Sequence, residues 1–116
     1  MRVTRLFTGD DGESHFEDLD ILTRPSGEIG SLSAPQPVIS VIFRETPPSY
    51  DFAWHNAPCR QYVVMLEGSV EVEVGDGTCR RFGPGDILLA EDTTGHGHIS
   101  RAVDQRPRRS LFITLD

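Results

Sequence analysis

The chain has 116 residues, of which 37% are hydrophobic and 25% are charged, and its formal net charge is -7. This length supports one hydrophobic core, and the composition is that of a globular chain and does not indicate disorder. The acidic balance argues against a nucleic-acid partner, because such affinity rests on neutralising phosphates with basic side chains. All 11 basic residues are arginine, so catalysis through a lysine Schiff base is excluded.

No apolar run approaches the length of a membrane span, and residues 1–6 lack the apolar core of a secretion signal. We therefore expect a cytoplasmic protein with no membrane partner. Cys59 and Cys79 are too few for a disulfide framework and are predicted to be free, partly buried thiols. The basic cluster at residues 106–109 is predicted to be a solvated turn.

Alternating patterns and turn signals dominate the chain, and helical periodicity is hard to find. A short strand is predicted at residues 3–7, residues 14–20 alternate too weakly to assign, and the Pro- and Gly-rich residues 24–37 predict a loop. Further strands are predicted at residues 38–44, 61–66, 70–74, 78–82, 87–90, 98–103 and 110–115. Eight or more short strands in a chain of this size indicate an all-β sandwich or barrel.

The sequence between Trp54 and Ser100 resembles the two motifs of small single-domain bacterial cupins of unsettled activity. The first motif of that family has two histidines, a glutamate and a closing glycine, and here those positions hold His55, Ala57, Gln61 and Gly68. The second motif has a glycine-aspartate turn, a short strand and a loop that leads to one histidine. Residues 83–89 match its opening, whereas the loop before His98 departs from the usual form.

The resemblance implies a fold and a domain organisation. The fold is a cupin-type double-stranded β-helix, which is a jelly-roll barrel. The whole chain, residues 1–116, is then a single domain, with residues 38–115 as the barrel core and residues 1–37 as N-terminal strands and a loop packed on it. One such scaffold hosts many chemistries, so the resemblance is far more specific for fold than for function.

A metal site with a degenerate first motif also follows from the resemblance. His55 and His98 would hold a divalent ion (Fe, Ni, Mn, Zn or Cu), with Gln61 as a weaker amide ligand and His96 as an alternative. Ala57 contributes no ligand, so the absence of any metal is an equal expectation. With a metal, the predicted function is an oxygenase, isomerase or decarboxylase acting on an organic acid or a sugar derivative.

A metal-independent isomerase or epimerase is the second hypothesis. His55 or His98 could act as the base because imidazole titrates near neutral pH, and Tyr62 or Tyr50 could act as the acid. Tyr62 alternates away from Gln61 on its strand, so both cannot face the interior without a bulge. The pair Glu91-Asp92 offers a carboxylate near His98, although a loop in which Asp92 and residues 93–94 satisfy turn amides is the stronger expectation.

A non-catalytic binding or sensing module is the third hypothesis, which the residues Ala57 and Gln61 at ligand positions favour. In each case we predict a small-molecule ligand and a homodimer that covers an apolar sheet edge or face. The predicted substrate pocket is lined by Trp54, Cys59, Met65 and Phe43.

Overall fold

The computed structural model describes residues 1–116 and is built almost entirely of β-strands. Their bounds are β1 Arg2–Thr8, β2 Ser14–Asp20, β3 Arg24–Pro25, β4 Ser31–Leu32, β5 Ser40–Thr46, β6 Asp51–His55, β7 Gln61–Glu67, β8 Val70–Glu73, β9 Cys79–Phe82, β10 Ile87–Ala90, β11 His98–Ala102 and β12 Arg108–Thr114. The one helical segment is a 3₁₀ turn at Gly27–Ile29, so no helix is long enough to cross a membrane. The predicted all-β class is confirmed.

Two sheets carry the fold. The larger has six strands in the order β2-β1-β10-β7-β12-β5, and the smaller has four in the order β6-β11-β8-β9. From β5 onward the pairing is that of one long hairpin, because β5, β6, β7 and β8 pair antiparallel with β12, β11, β10 and β9. Successive pairs alternate between the sheets. Each sheet keeps two edge strands, so the sheets do not close into one hydrogen-bonded barrel.

Strand alternation explains which side chains form the core. In β8 and the residue after it, Val70, Val72 and Val74 are at most 7% exposed, while the glutamates between them face outward. These valines cluster with one residue from each of β1, β7, β9 and β10: Leu6, Met65, Phe82 and Leu88. The core therefore lies between the two sheets, as expected when each sheet has one apolar face.

The N-terminal region contributes to the larger sheet. β1 pairs parallel with β10 and antiparallel with β2, so both strands extend the six-stranded sheet beyond the long hairpin. The weakly alternating residues 14–20 are a regular strand, since full pairing with β1 supplies the order that their own pattern lacks. Within the predicted loop 24–37, only the two-residue strands β3 and β4 and the 3₁₀ turn are regular. Strand β6, at Asp51–His55, was absent from the predicted elements.

Candidate functional site

A cavity of about 400 Å³ lies between the two sheets and is lined by both of them. Alternate residues of β7, Gln61, Val63 and Met65, face it from the larger sheet, and His55 and His98 face it from the smaller one. Its volume falls in the range of small-molecule sites, and most of its lining is apolar with a few polar groups. The cavity is therefore the candidate site.

His98 is held in the cavity wall by a buried hydrogen-bond chain. Its Nδ1 lies 2.6 Å from Asp92 Oδ2, which also accepts a hydrogen bond from Ser14 Oγ at 2.7 Å. Asp92 is 0% exposed and His98 is 6% exposed. Because a carboxylate can only accept, it is the Nδ1 of His98 that carries the proton, and Nε2 is left free for a ligand.

His55 faces His98 across the β6–β11 pair. The two residues are direct register partners, and their ring centroids are 4.3 Å apart. His55 Nδ1 lies 2.7 Å from the Ala53 carbonyl oxygen, which only accepts, so Nε2 of this ring is also free. Burial lowers the pKa of His55 below its ordinary value, against a raising effect of the Ala53 hydrogen bond, and the adjacent His98 lowers it further. The neutral form of His55 is therefore favoured.

Gly97 allows the two histidine strands to approach. Its φ is +81°, and a Cβ there would lie 2.1 Å from the backbone oxygen of His55. No other residue type fits this position without moving β6 away from β11. Beside it, Ala57 is buried and its amide donates to the Asp92 carbonyl oxygen at 3.1 Å. The backbone around the histidine pair is thus closely packed.

The predicted metal ligands are only partly brought together. His55, His98 and Gln61 all line the cavity, and Gln61 is 6% exposed. His96 lies outside it, where its ring stacks on Trp54 with centroids 4.0 Å apart and its Nδ1 lies 2.9 Å from Glu13 Oε2. No group of three or more His, Cys, Asp and Glu side chains is arranged to hold a metal ion.

Two predicted catalytic residues lie on outward faces. Tyr62 follows Gln61 on β7, points away from the cavity as alternation predicts, and donates to Gln36 Oε1 at 2.6 Å. Glu91 likewise follows the cavity-lining Ala90, and is hydrogen-bonded by Arg5 at 2.5 Å and Arg60 at 2.6 Å. Asp92, the next residue in the loop after β10, is the carboxylate that lies beside His98. The expectation that Asp92 satisfies turn amides was wrong.

Of the predicted pocket residues, only Met65 lines the cavity. Phe43 is 84% exposed on the edge strand β5, because its neighbour Arg44 takes the inward direction. Trp54 stacks on His96 outside, since its neighbour His55 faces inward. Cys59 lies in the bend before β7 and contacts Gln61 Oε1 at 3.8 Å, but does not reach the cavity.

Arg44 and Arg108 line the cavity and were not among the predicted site residues. Arg108 is 4% exposed, so the prediction that residues 106–109 form a solvated turn was wrong for this residue. Arg108 is the first residue of strand β12 and faces inward. The next residue, Arg109, faces solvent and pairs with Glu67. The predicted strand at residues 110–115 begins two residues too late. Extending its alternation back to Arg108 would have placed this side chain on the inward face.

The fold and the cavity define an all-β protein with two facing sheets and a ligand-sized site between them. No family model matches the sequence, and no curated protein is similar to it in sequence. Among solved structures, the fold is similar to that of protein NMB1881 from Neisseria meningitidis, with a TM-score of 0.53 and 16% identity over 71% of this chain and 84% of that chain. At this identity the similarity shows a shared all-β fold only.

Replacing Glu91 with glutamine is expected to lower the free energy of unfolding by about 1–2 kcal/mol near pH 7, since two charge-assisted hydrogen bonds weaken. Burial raises the pKa of Glu91, but its hydrogen bonds to Arg5 and Arg60 outweigh this, and the pKa lies below its ordinary value of 4.5. The stabilisation is therefore complete above that ordinary value and is lost as the pH falls through the depressed pKa. Urea unfolding as a function of pH measures this.

The matched control for Glu91 is Glu67→Gln. Glu67 and Arg109 are 2.7 Å apart but both are more than half exposed, so the change should cost at most about 0.5 kcal/mol. Equal losses for the two variants, or a Glu91→Gln loss that persists in acid, would contradict the assignment.

Proposed function

We propose that this protein is a cupin-type jelly-roll enzyme that binds a small metabolite between its sheets and transfers a proton on it through His98 and His55, without a metal ion. The observation that carries the proposal is the buried hydrogen bond from His98 Nδ1 to Asp92 Oδ2, at 2.6 Å. A carboxyl group in this position fixes the imidazole tautomer and stabilises the imidazolium that forms when Nε2 takes a proton.

The strand order supports the jelly-roll part of the proposal. A jelly roll is a long hairpin rolled up so that its strand pairs alternate between two sheets. The eight strands from β5 to β12 pair in this way, as β5-β12-β7-β10 in one sheet and β6-β11-β8-β9 in the other. The motif resemblance at His55, Gly68 and residues 83–89 agrees with the same fold.

The histidine pair suits acid–base chemistry. Two imidazole rings with centroids 4.3 Å apart repel each other when both are charged, so a pair with one charged and one neutral ring is favoured over a doubly charged pair. One ring is then a base and the other an acid. A C–H proton beside a ligand carbonyl would pass to a free Nε2, its electron pair would move toward the carbonyl oxygen, and return of a proton would give an isomer or epimer.

A divalent metal held by His55, His98 and Gln61 is the second candidate. It is favoured by both Nδ1 atoms having acceptors, since metal-binding histidines use their second nitrogen in this way. The donor set fits a metal poorly, however, because it has two imidazoles, one neutral amide and no carboxylate. Arg44 and Arg108 in the same cavity would also repel a cation.

A hydrogen–deuterium exchange screen tests the proposal. Small carbonyl compounds are incubated with the protein in D₂O, and deuterium incorporation is followed by NMR with and without EDTA. We expect exchange that survives EDTA and falls by about 10²–10⁴-fold in His98→Gln. His96→Gln is the matched control, because this histidine lies outside the cavity, and it should exchange at the wild-type rate.

Three results would contradict parts of the proposal. Exchange that EDTA removes, with about one bound ion lost in His55→Ala and His98→Ala, would support the metal candidate. Ligand binding without exchange for any compound would support the non-catalytic binding module. Equal exchange in His98→Gln and wild type would exclude His98 as the base.

We also propose a cytoplasmic homodimer. Edge strand β5 exposes an apolar row, Val41, Ile42 and Phe43, which are 48%, 46% and 84% exposed. An unpaired edge with such a surface is the kind that natural proteins cover. A monomeric mass in analytical ultracentrifugation would contradict the dimer.

A further inference from the structure

Arg108 is a buried cation without an acidic partner. It is 4% exposed, lines the cavity, and forms no hydrogen bond or ion pair in the protein. Its guanidinium lies 4.9 Å from the centre of the Tyr50 ring. Buried charges in proteins are normally paired, because an unpaired charge loses its hydration without compensation.

Arg44, beside it, is a half-buried cation that also lacks an acidic partner. Its guanidinium lies 5.1 Å from the centre of the Tyr50 ring, on which Arg108 also packs. The other arginines that are at least partly shielded from solvent, Arg5, Arg80 and Arg101, each form an ion pair with an acidic side chain. No acidic residue lines the cavity. This protein of net charge -7 therefore encloses a cavity with two unneutralised arginines.

Two hydroxyl groups at the same place also lack partners. Thr46 Oγ1 and Ser110 Oγ are buried and make no hydrogen bond. In the β5–β12 register, Thr46 is the partner of Arg108 and Ser110 is the partner of Arg44. Thr46 and Ser110 lie beside the two arginines but do not line the cavity themselves. Four neighbouring polar residues on two paired strands thus lack a protein partner, and the two arginines among them face the cavity, where a ligand can supply one.

We propose that the cavity binds an organic carboxylate, with its carboxylate group on Arg44 and Arg108 and its apolar body toward the histidines. A guanidinium binds a carboxylate through two parallel hydrogen bonds. The remaining wall is mostly apolar, including Val63, Met65 and Phe112. A guanidinium also binds phosphate in this way, but these walls are strands and offer none of the helix N-termini that add backbone amides to many phosphate sites.

A series of aromatic contacts connects the two arginines with the two histidines. Both arginines pack on the Tyr50 ring, whose centroid lies 6.1 Å from that of Phe52. The Phe52 centroid lies 4.0 Å from that of His55, which lies 4.3 Å from that of His98. A ligand anchored at the arginines would therefore extend along Phe52 toward the free Nε2 atoms. Whether the bound carboxylate reacts rests on the proposed proton transfer. Its binding does not, and can be tested separately.

Binding is tested by calorimetry with matched probes: phenylacetate and hexanoate, their neutral amides, and phenyl phosphate. We expect the carboxylates to bind, and the amides and Arg108→Met to show at least about a 10-fold weaker affinity. Arg109→Met is the control, because this neighbour on β12 faces solvent, and it should bind as wild type does. If phenyl phosphate binds more tightly than the carboxylates, the proposed carboxylate ligand is wrong and a phosphate ligand is supported. Equal affinity in Arg108→Met and Arg109→Met, or no binding of any carboxylate, would overturn the proposal.

Stability without ligand gives a second readout that needs no probe. Arg108→Met replaces a buried unpaired charge with an apolar side chain of similar length. Without ligand, its melting temperature should exceed that of wild type by about 4 °C or more. Arg109→Met should stay within about 1 °C of wild type. A lower melting temperature for both Arg108→Met and Arg44→Met would show that these arginines hold the fold together, and would contradict the inference.

The outcomes separate this inference from the proposed function. Carboxylate binding that needs Arg108, in a protein that exchanges no C–H proton, would support the carboxylate site and contradict the proposed enzymatic activity. Exchange on a neutral ligand that is unaffected by Arg108→Met would do the reverse.

Discussion

Replacing Gly97 with alanine is expected to destabilise the protein by about 3–5 kcal/mol, a size that single substitutions reach only through a specific steric or burial defect. The new Cβ would lie 2.1 Å from the His55 carbonyl oxygen and 3.1 Å from the Asn56 amide nitrogen. Both are backbone atoms, which cannot turn aside as a side chain can. The β6–β11 pair would have to separate where His55 and His98 face each other.

Gly77→Ala is the matched control for Gly97. Gly77 has a similar φ of +88°, but a Cβ there meets nothing within 4 Å. Its replacement should cost about 1–2 kcal/mol, the strain of a left-handed backbone alone. The difference between the two variants in urea unfolding isolates the clash with His55. Equal losses would show that β6 can move freely, and would remove the close approach as an element of the site.

Replacing Asp92 with alanine is expected to destabilise the protein by about 3–5 kcal/mol, as for the removal of one partner from a buried polar pair. Asp92 is 0% exposed, and its Oδ2 accepts from both Ser14 Oγ and His98 Nδ1. Alanine would leave both donors buried and unpaired. Chemical denaturation at neutral pH measures the loss.

Asp92→Asn separates orientation from stability. Asparagine keeps the shape and one acceptor oxygen, so it should fold with a smaller loss of about 1–3 kcal/mol. It cannot stabilise an imidazolium at His98, so proton exchange should still fall by about 10²-fold or more. Asp86→Asn, which alters an exposed carboxylate that accepts from the Gly83 amide at 2.8 Å, is the control and should leave exchange unchanged. Full activity in Asp92→Asn would remove Asp92 from the mechanism.

The strands are the part of the fold that could be predicted most fully. The predicted strand at residues 87–90 is the observed β10, and that at 61–66 ends one residue short of β7. Their alternation and flanking glycine turns are local features of the chain. Strand β6 at Asp51–His55 was missed because four of its five residues are exposed, so its pattern carries no buried face. Its pairing with β11 forms it.

The candidate site could be predicted only in part. His55 and His98 stand out by residue type and by their motif positions, and the structure places them as cross-strand partners. The preference for His98 over His96 agrees with the structure, since His98 lines the cavity and His96 stacks on Trp54 outside. That His55, His98 and Gln61 hold a metal ion stays a prediction, although all three face the same cavity.

The sequence by itself determined the all-β class, most strand positions and the two histidines, because residue type and alternation act over a few neighbouring positions. The tertiary structure alone decided which carboxylate and which arginines serve the cavity. Asp92 meets Ser14 across 78 residues of chain, and Arg108 and Arg44 approach through the β5–β12 register. Whether a charged side chain faces a cavity or solvent depends on a one-residue shift along its strand, and that shift is fixed by the partner strand.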